Sequence, residues 1–312
     1  MIYVEMRGRM GNQMFKYACA RAFQIKMNNQ DKIATDFSAY PKGQGSFSEN
    51  YLLRMKCAEN VIEKKYDFKW YQKIVLKFIS IYMRITSDPN DKYRIEEFQK
   101  KTADFVSLFG LYMYRRGYHN FRIPKKGDIF LSGNYEAHRY FDDIRDELIN
   151  DFKPCELSDE NKRLCEEFDK DELIAVCVRK GDFTSNRRDR LDICMPEYYE
   201  KAVDFIRKKR GSDLKVIIFT IDVDWARENL DIDGVSGYLG DKMTPWEQMQ
   251  VMAKCSHFVI CNSTFFWWAQ YLSEKNEKIV VAPSYWNGKG AKTDLYINEW
   301  ILLDPESGEF AG

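Results

Sequence analysis

LIAVCVRKGDFT, residues 173–184, is a short apolar run rich in β-branched residues that ends in the charged segment Arg179–Asp182. The pattern predicts a buried strand whose carboxyl end opens into a charged loop. In open α/β sheets, ligands bind beyond the carboxyl ends of the strands. Arg179 offers a planar fork of donors that fits phosphate oxygens, and Lys180 adds a point charge. The loop is therefore either a phosphate site or a solvated turn.

Strands and helices alternate from this stretch to the end of the chain. Apolar runs predict further strands at 214–220, 235–239, 257–261 and 278–282. Helices are predicted at 196–209, 225–230 and 245–252, and another is predicted to begin at 265. This alternation predicts a parallel sheet with right-handed crossovers, which is an α/β domain of the Rossmann-like type.

Polar residues follow three of the predicted strands. Arg179 and Lys180 follow the first, Asp222 follows the second, and Asn262-Ser263-Thr264 follows the strand at 257–261. They supply cations for a diphosphate, a carboxylate that accepts from the N–H groups of a base, and hydroxyls at a helix N-terminus. The set suits a nucleotide diphosphate better than a dinucleotide, whose glycine fingerprint is missing.

The N-terminus carries a second strand-to-helix turn. Ile2–Met6 reads as a strand, and GRMGNQMFKYACARAF, residues 8–23, follows it. Gly8 and Gly11 permit a tight turn, and Asn12 is the predicted N-cap of a helix with one apolar face. A helix start of this kind suits an anion, but the same residues also describe a purely structural turn.

The chain is long enough for two domains. Helical spacing near 144–152 is broken by Lys153-Pro154, and we therefore predict domains at 1–155 and 156–312. Within the first, an amphipathic helix is predicted at 63–84. Its basic stripe is opposite apolar residues and indicates either a membrane-surface or acidic-partner contact or a solvated face. The stripe consists of Lys65, Lys69, Lys73 and Lys77.

Composition excludes several classes of protein. The formal net charge is zero, so nothing points to nucleic acid. The eight Cys have no CxxC pair and the three His are scattered, which indicates reduced, buried thiols and no metal site. No signal peptide or membrane-spanning run is apparent. We expect a cytoplasmic protein that reaches the inner membrane surface if the basic stripe binds lipid.

Several motifs in order along the chain give it a family resemblance. They are GRMGNQMFKYA at 8–18, LSGNYEAHRYF at 131–141, VCVRKGDF at 176–183, FTIDVDW at 219–225 and MAKCSHFVICNSTFFWWAQYL at 252–272. With these elements the chain resembles the α-1,2-fucosyltransferases of glycosyltransferase family 11. The region from about 38 to 129 carries little of the resemblance.

The resemblance implies a GT-B-like fold with two Rossmann-like domains. Residues 1–155 would form an acceptor-side domain with the GNQ loop and a helical insertion, and 156–312 the GDP-fucose domain. The implied reaction is inverting transfer of L-fucose from GDP-β-L-fucose to the 2-hydroxyl of a terminal galactose on an oligosaccharide or lipid-linked glycan. It implies no metal and no cofactor, with GDP-fucose as a co-substrate.

The same resemblance implies roles for particular residues. Arg179 would hold the β-phosphate and offset charge on departing GDP, and Asn12 would lie near the phosphate and the reacting carbon. Asp182 is a candidate base, although an ion pair with a neighbouring cation is an equally good interpretation. The expected substrate-binding residues are Gly11, Gln13, Cys177, Lys180, Asp222, Asn262, Ser263, Thr264 and Phe265.

Among the substrate-binding residues, Asp222 would read the guanine edge, and the loop 263–265 would cradle the phosphates. Five positions depart from the family pattern, and at three of them Arg9 stands for Gly, Ile221 for Asp and Phe266 for Ser. Cys177 stands where the family usually has His, which puts a guanine contact in doubt. Lys180 stands for Arg and keeps the charge without the bidentate fork.

Two other functions fit parts of the sequence. Asp222-Val223-Asp224 resembles the DxD of metal-dependent transferases, in which paired carboxylates chelate a divalent ion that bridges a diphosphate. A non-catalytic nucleotide- or glycan-binding protein is the second alternative, since the 15% aromatic content supplies surfaces on which sugars stack.

Overall fold

The structure is a computed structural model that describes residues 1–39, 49–86, 92–115, 117–180, 192–240, 242–287 and 293–311, with 85–86 and 92–96 as backbone only. The chain divides into two compact units, Met1–Phe152 and Lys153–Gly312. The division falls after residue 152, where the sequence placed it after residue 155.

The first unit is built on a five-stranded parallel sheet in the order β3-β2-β1-β5-β4. Its strands are β1 Ile2–Glu5, β2 Ile33–Asp36, β3 Val61–Glu63, β4 Leu111–Tyr114 and β5 Ile129–Gly133. Its helices are α1 Met10–Lys26, α2 Trp70–Thr86, α3 Lys92–Ser107 and α4 Arg145–Asp151. Short 3₁₀ turns lie at Tyr51–Arg54, Lys56–Asn60, His138–Tyr140 and Asp142–Ile144.

The core of this unit forms around β1 and α1. β1 is the central strand and pairs in parallel with β2 on one side and β5 on the other. α1 is buried on almost every side, with Phe15, Tyr17 and Ala18 fully inaccessible to solvent. The sequence predicted one apolar face, but the buried residues of α1 also include Gln13, Lys16 and Gln24.

Two sequence predictions for this unit are wrong. α1 begins at Met10 with Arg9 as its N-cap, so Asn12 lies inside the first turn and is not the cap. The helix predicted at 63–84 begins only at Trp70, because residues 61–63 instead pair with β2 as strand β3. Lys65 and Lys69 therefore precede the helix, and the four lysines do not form one helical stripe.

The second unit is built on a six-stranded parallel sheet in the order β11-β10-β9-β6-β7-β8. Its strands are β6 Leu173–Cys177, β7 Lys215–Thr220, β8 Val235–Gly240, β9 His257–Val259, β10 Val280–Pro283 and β11 Ile301–Leu303. Its helices are α5 Asp159–Lys170, α6 Pro196–Arg210, α7 Val223–Asn229, α8 Pro245–Met252 and α9 Thr264–Leu272.

Local sequence explains the helix ends in this unit. α6 has Pro196 at its first position and ends at Gly211, whose φ of 69° is the left-handed conformation that glycine adopts readily. α8 begins with a capping box in which Thr244 and Glu247 satisfy each other's backbone N–H groups. These helices agree with the predicted ones to within one residue.

The sequence predicted the last strand at 278–282, which corresponds to β10, but the structure has one further strand, β11. β11 pairs with β10 in parallel and is one of the two edge strands of the sheet. It has only three residues, two of them half-buried, so its apolar signal is too short to identify a strand.

Both units are Rossmann-like, which confirms the α/β, GT-B-like class predicted for the chain. In the second unit the strand order reverses between the neighbours β6 and β9, and ligands bind at such a switch point in open α/β sheets. Among the helices that the structure describes, none combines the length and apolar character needed to cross a membrane.

Candidate functional site

The switch point of the second sheet brings two predicted site segments together. β6 and β9 pair in parallel with Val176 opposite Val259, so their carboxyl ends lie side by side. Arg179 follows the first strand and Ser263 follows the second. The Arg179 Nη1 atom donates to Ser263 Oγ at 3.3 Å. The sequence prediction that these strand ends converge is therefore correct for this pair.

Ser263 also starts helix α9. It is the N-cap residue, and its carbonyl oxygen accepts the N–H of Trp267 at 2.9 Å. Its own N–H donates to the Cys261 carbonyl at 2.7 Å, which fixes the turn between β9 and α9. The guanidinium thus lies at the N-terminus of a nine-residue helix. Both the charge and the helix dipole there favour an anion.

The aromatic residues of α9 divide between core and site. Trp267 and Trp268 are fully buried, and the Trp267 indole donates to the Leu295 carbonyl at 2.7 Å. Thr264 and Phe265, in the first turn, are only half-buried. The two Trp therefore anchor the helix, which leaves the first turn to contact a ligand.

Lys180 is used quite differently from Arg179. Its ammonium is 2.6 Å from Asp192 Oδ1 and 3.2 Å from the Cys194 carbonyl, and it lies 4.2 Å from the centre of the Trp225 ring. Its side chain is only 6% exposed. The charge of Lys180 is thus neutralised inside the protein, next to a guanidinium that is only half-buried.

Asp222 lies at the carboxyl end of β7 and precedes α7. Its Oδ2 accepts the backbone N–H of Lys180 at 3.3 Å, and its own N–H donates to Thr220 Oγ1 at 2.9 Å. This links the ends of β6 and β7. Asp224 is exposed in the first turn of α7. No group of three or more potential ligands suited to a metal ion occurs among the described residues.

Cys177 and Asn262 contact the protein itself. Cys177 is fully buried in β6, its Sγ lies 3.5 Å from Met252 Sδ, and burial raises the pKa of its thiol far above the usual value. The Asn262 Nδ2 donates to the Trp286 carbonyl at 3.0 Å, which ties the turn before α9 to the segment after β10.

The N-terminal turn lies in the first unit. Gly8 has a φ of +85°, and a Cβ there would lie 2.7 Å from Asn12 Nδ2, so glycine is required. Gln13 is fully buried: its Nε2 donates to the carbonyls of Gly8 and Glu49 at 3.0 and 2.8 Å, and its Oε1 accepts from Tyr51 N–H at 3.0 Å. Both ends of this amide are occupied by backbone. Gly11 is buried beside it, and Asn12 is half-buried.

Lys16 is a buried charge just behind that turn which the sequence analysis overlooked. Its ammonium donates to the carbonyl of Gly133 at the end of β5. Burial lowers the pKa of Lys16 to about 8, while the carboxylates of Glu5 and Glu136 act in the opposite direction. Its place inside the apolar run of α1 was the available signal, because a cation there needs internal partners.

Other positioning residues near the switch point were also missed. Tyr198 of α6 is fully buried, and its hydroxyl donates to the Ile260 carbonyl at 2.7 Å, just before the turn that carries Ser263. Asp192 and Trp225 hold Lys180. Trp225 was visible in the FTIDVDW motif, whereas nothing in the sequence links Asp192 to Lys180. Asp182, the candidate base, lies outside the described residues.

Comparison with known proteins identifies the family of the chain. The model of the family described as "Glycosyl transferase family 11" matches residues 1–304. An Escherichia coli protein named O-antigen biosynthesis glycosyltransferase WbnK is 25% identical over 97% of this chain and 100% of its own length. An Escherichia coli alpha-1,2-colitosyltransferase is 22% identical over 91% of this chain and 92% of its own.

A third relative matches over a shorter region. Galactoside alpha-(1,2)-fucosyltransferase 1 of Saimiri sciureus is 29% identical over 32% of this chain and 29% of its own length. Two Rossmann-like units and a cation at a helix N-terminus first define a protein of GT-B-like fold whose second unit suits a phosphate-bearing ligand. The family match then gives the narrower identification: the chain belongs to glycosyltransferase family 11.

Proposed function

We propose that this glycosyltransferase transfers L-fucose from GDP-β-L-fucose to the 2-hydroxyl of a terminal galactose, with inversion at the sugar carbon. The observation that carries the proposal is the 3.3 Å contact between the Arg179 guanidinium and Ser263, the N-cap of α9. A cation at a helix N-terminus is suited to a diphosphate. The relatives named for α-1,2 transfer support the linkage.

In this reaction the bond between the sugar carbon and the β-phosphate oxygen breaks while the acceptor oxygen bonds to the opposite face. Negative charge grows on the departing diphosphate, and the sugar becomes oxocarbenium-like. Fixed donors stabilise this charge most effectively because they need no reorganisation as it develops. Arg179 and the N–H groups of the first turn of α9 are assigned this role, and Thr264 and Phe265 complete the cradle.

The remaining residues are assigned by what they already contact. Asp222 is proposed to read the guanine edge through the carboxylate oxygen that does not accept from Lys180. Lys180, Asn262 and Cys177 act by holding the site of the second unit in shape, since each contacts the protein's own groups. Gln13 does the same for the N-terminal turn of the first unit. Asn12 with Gly11 is proposed to face the reacting carbon. The acceptor proton passes to Asp182, or to solvent if the reaction is dissociative enough to need only a weak base.

Colitose is the second donor to consider, because a relative that spans nearly the whole chain is named for its transfer. Colitose lacks the 3-hydroxyl of fucose. A site that hydrogen-bonds this hydroxyl rejects the deoxy sugar by a factor on the order of 10⁴, whereas an apolar pocket discriminates only on the order of 10²-fold. Donor choice therefore reports directly on the polarity of the sugar pocket.

The test uses the purified protein with GDP-fucose or the GDP-activated form of colitose and a panel of β-galactosides. We expect transfer from GDP-fucose, a new α-1,2 linkage in the NMR spectrum of the product, and unchanged activity in EDTA. Preference for the colitosyl donor would reassign the sugar. Activity lost in EDTA and restored by Mn²⁺ would favour the metal-dependent alternative at Asp222 and Asp224. Binding of GDP without transfer from any donor would favour the alternative of a non-catalytic nucleotide-binding protein.

The acceptor is proposed to be a free oligosaccharide or a lipid-linked glycan that ends in galactose. The lining of its site is assigned to the first unit, whose segment from about 38 to 129 carries little of the family pattern. Equal rates with a soluble galactoside and its lipid-linked form would show that the enzyme does not recognise the lipid. A preference for the lipid-linked form would place the enzyme's substrate at a membrane.

A further inference from the structure

Helix α2 of the first unit is apolar on two opposite faces, which is unusual for a helix at a protein surface. Its inner face packs on the core of the unit through Leu76 and Ile79. Gln72 fixes it there: its Nε2 donates to the Phe109 carbonyl at 2.8 Å, and its Oε1 accepts the hydroxyl of Tyr66 at 3.0 Å. A helix with a covered inner face ordinarily presents a polar outer face.

The outer face of α2 carries large apolar side chains instead. Trp70 is 74% exposed and Phe78 is 68% exposed. Helical spacing places these two on one stripe with three other exposed residues. The stripe consists of Trp70, Ile74, Phe78, Ile81 and Tyr82. Exposed single hydrophobic residues are ordinary, but a row of five that includes three aromatic side chains indicates a binding surface.

The stripe continues onto the end of helix α3. Trp70 contacts the ring of Tyr71, Tyr71 contacts Phe109, and Phe109 contacts Phe105, with centroid distances of 5.9, 6.4 and 5.4 Å. Phe105 is more than half exposed, and Leu108, which follows α3, is 76% exposed. The apolar surface is therefore shared by two helices and is not an isolated side chain.

Cations border this stripe along one side. Lys73, Lys77 and Arg84 are exposed, and their spacing of four and seven residues puts them in one row next to Trp70 and Ile74. The two lysines are the part of the predicted basic stripe that lies within the helix. An apolar row with Trp and Phe, flanked by Lys and Arg, is the composition of a helix that lies in the interface of an anionic bilayer.

We propose that α2 and the end of α3 form a docking surface for an anionic lipid bilayer. The aromatic residues enter the boundary between headgroups and acyl chains, and the bordering cations pair with lipid phosphates. Because Gln72 and the inner apolar residues hold α2 to its unit, the helix lies along the membrane surface. Binding to lipid is independent of sugar transfer, so its failure leaves the proposed reaction untouched.

The test is flotation of the full chain with vesicles of about 30% phosphatidylglycerol in phosphatidylcholine. We expect binding to these vesicles, little binding to pure phosphatidylcholine, and release as salt rises from about 0.1 M to about 1 M. Binding that ignores lipid charge and salt, or no binding at all, overturns the proposal. Concentration-dependent dimerisation in ultracentrifugation that Phe78→Ser abolishes, without vesicle binding, assigns the surface to a second copy instead.

Matched variants locate the surface. Phe78→Ser should lower vesicle partitioning about tenfold, because it removes one buried aromatic. Phe310→Ser in the second unit makes the same change at a residue that is 61% exposed, and should leave partitioning unchanged. Lys73→Glu with Lys77→Glu should lower it at least about 30-fold, and Lys208→Glu with Lys209→Glu should not. If a variant in α2 and its matched control in the second unit lose vesicle partitioning equally, docking through α2 is contradicted. Thermal unfolding of each variant excludes simple loss of fold.

Discussion

Two strand-to-helix turns of this protein are similar in local geometry but differ in what their polar side chains contact. In the first unit, β1 leads through Gly8 into α1, and the side-chain amide of Gln13 is hydrogen-bonded to three backbone groups. In the second unit, β9 leads through Ser263 into α9, and a half-buried guanidinium lies at the helix start. Both turns lead from a strand into a helix. In the first, the amide of Gln13 is bonded to backbone groups, whereas in the second the guanidinium of Arg179 bonds to the residue that starts the helix, where charge and dipole favour an anion.

The largest expected effect tests the second turn. Arg179→Ala should lower the rate of sugar transfer by at least on the order of 10²–10³, because a fixed donor to the leaving diphosphate is lost. Folding should persist, since the guanidinium is only half-buried. Transfer rates and denaturant midpoints of the variant and the wild type provide the measurement. Turnover like that of the wild type would remove Arg179 from the mechanism.

The first turn should respond in the opposite manner. Gln13→Leu leaves two carbonyls and one N–H without their buried partner, and should lower the free energy of unfolding by about 3 kcal/mol. Gln30→Leu, at an exposed position in the same unit, should change it by less than about 0.5 kcal/mol. Urea unfolding measures both. A stable Gln13→Leu protein that has lost only transfer would instead make Gln13 a ligand residue.

Lys180 lies next to Arg179 in the sequence but should contribute to stability more than to catalysis. Lys180→Met should lower the free energy of unfolding by about 2 kcal/mol, less than the roughly 3–5 kcal/mol for a fully buried pair, because Asp192 still reaches water. The variant removes the buried partner of Asp192 and the contact with Trp225. The Michaelis constant for the donor should rise, because the end of β6 loses its links to Asp192 and Cys194.

The double variant Lys180→Met/Asp192→Asn is the control for Lys180→Met. It removes the charge that the single variant leaves unpaired, so it should recover most of the stability. A Lys180→Met protein of full stability whose donor affinity falls as far as that of Arg179→Ala would show that the two cations act alike. The distinction between them would then be lost.

The contrast also explains what the sequence can predict. β6, β7, β9 and β10 are buried on both faces and read as nearly continuous apolar runs, so these strands of the second sheet follow from pattern alone. The order of the strands, and with it the switch point, comes from the structure. β2 reads IATD, and its buried Asp36 is stabilised by the N–H groups of Ser38 and Tyr66. Buried polar residues conceal such a strand from hydrophobic periodicity, which is why β2 was missed.

The site itself divides in the same way. The place of Arg179 follows from the end of β6, because local sequence determines where a strand stops. The different role of Lys180 depends on Asp192 and Trp225, which the fold brings to it from other segments. Propensity and spacing contain no information on such tertiary partners, and the two neighbouring cations therefore look equivalent in the sequence.

The smallest expected effect concerns the strand that supports the second turn. His257 opens β9 and is almost fully buried, with the N–H of Ile279 donating to its Nδ1 at 3.1 Å and Glu172 Oε1 lying 2.9 Å from its Nε2. An accepting Nδ1 requires the neutral imidazole with its proton on Nε2. Burial lowers the pKa of His257, whereas its bond to Glu172 acts in the opposite direction. Burial prevails, because the bond from the Ile279 N–H excludes the imidazolium.

A lowered His pKa makes stability depend on pH in one direction. The unfolded chain takes up a proton below a pH of about 6.5 that the folded chain resists, so the free energy of unfolding should fall as the pH drops, by at most about 1.4 kcal/mol per pH unit. His257→Gln should flatten this slope, whereas His138→Gln, at a partly exposed residue of the first unit, should not. Urea unfolding between about pH 5 and 8 measures it. A free energy of unfolding that falls as the pH rises through this range would mean that His257 is charged in the folded protein, and that the strand supporting the Arg179 site carries a buried ion pair.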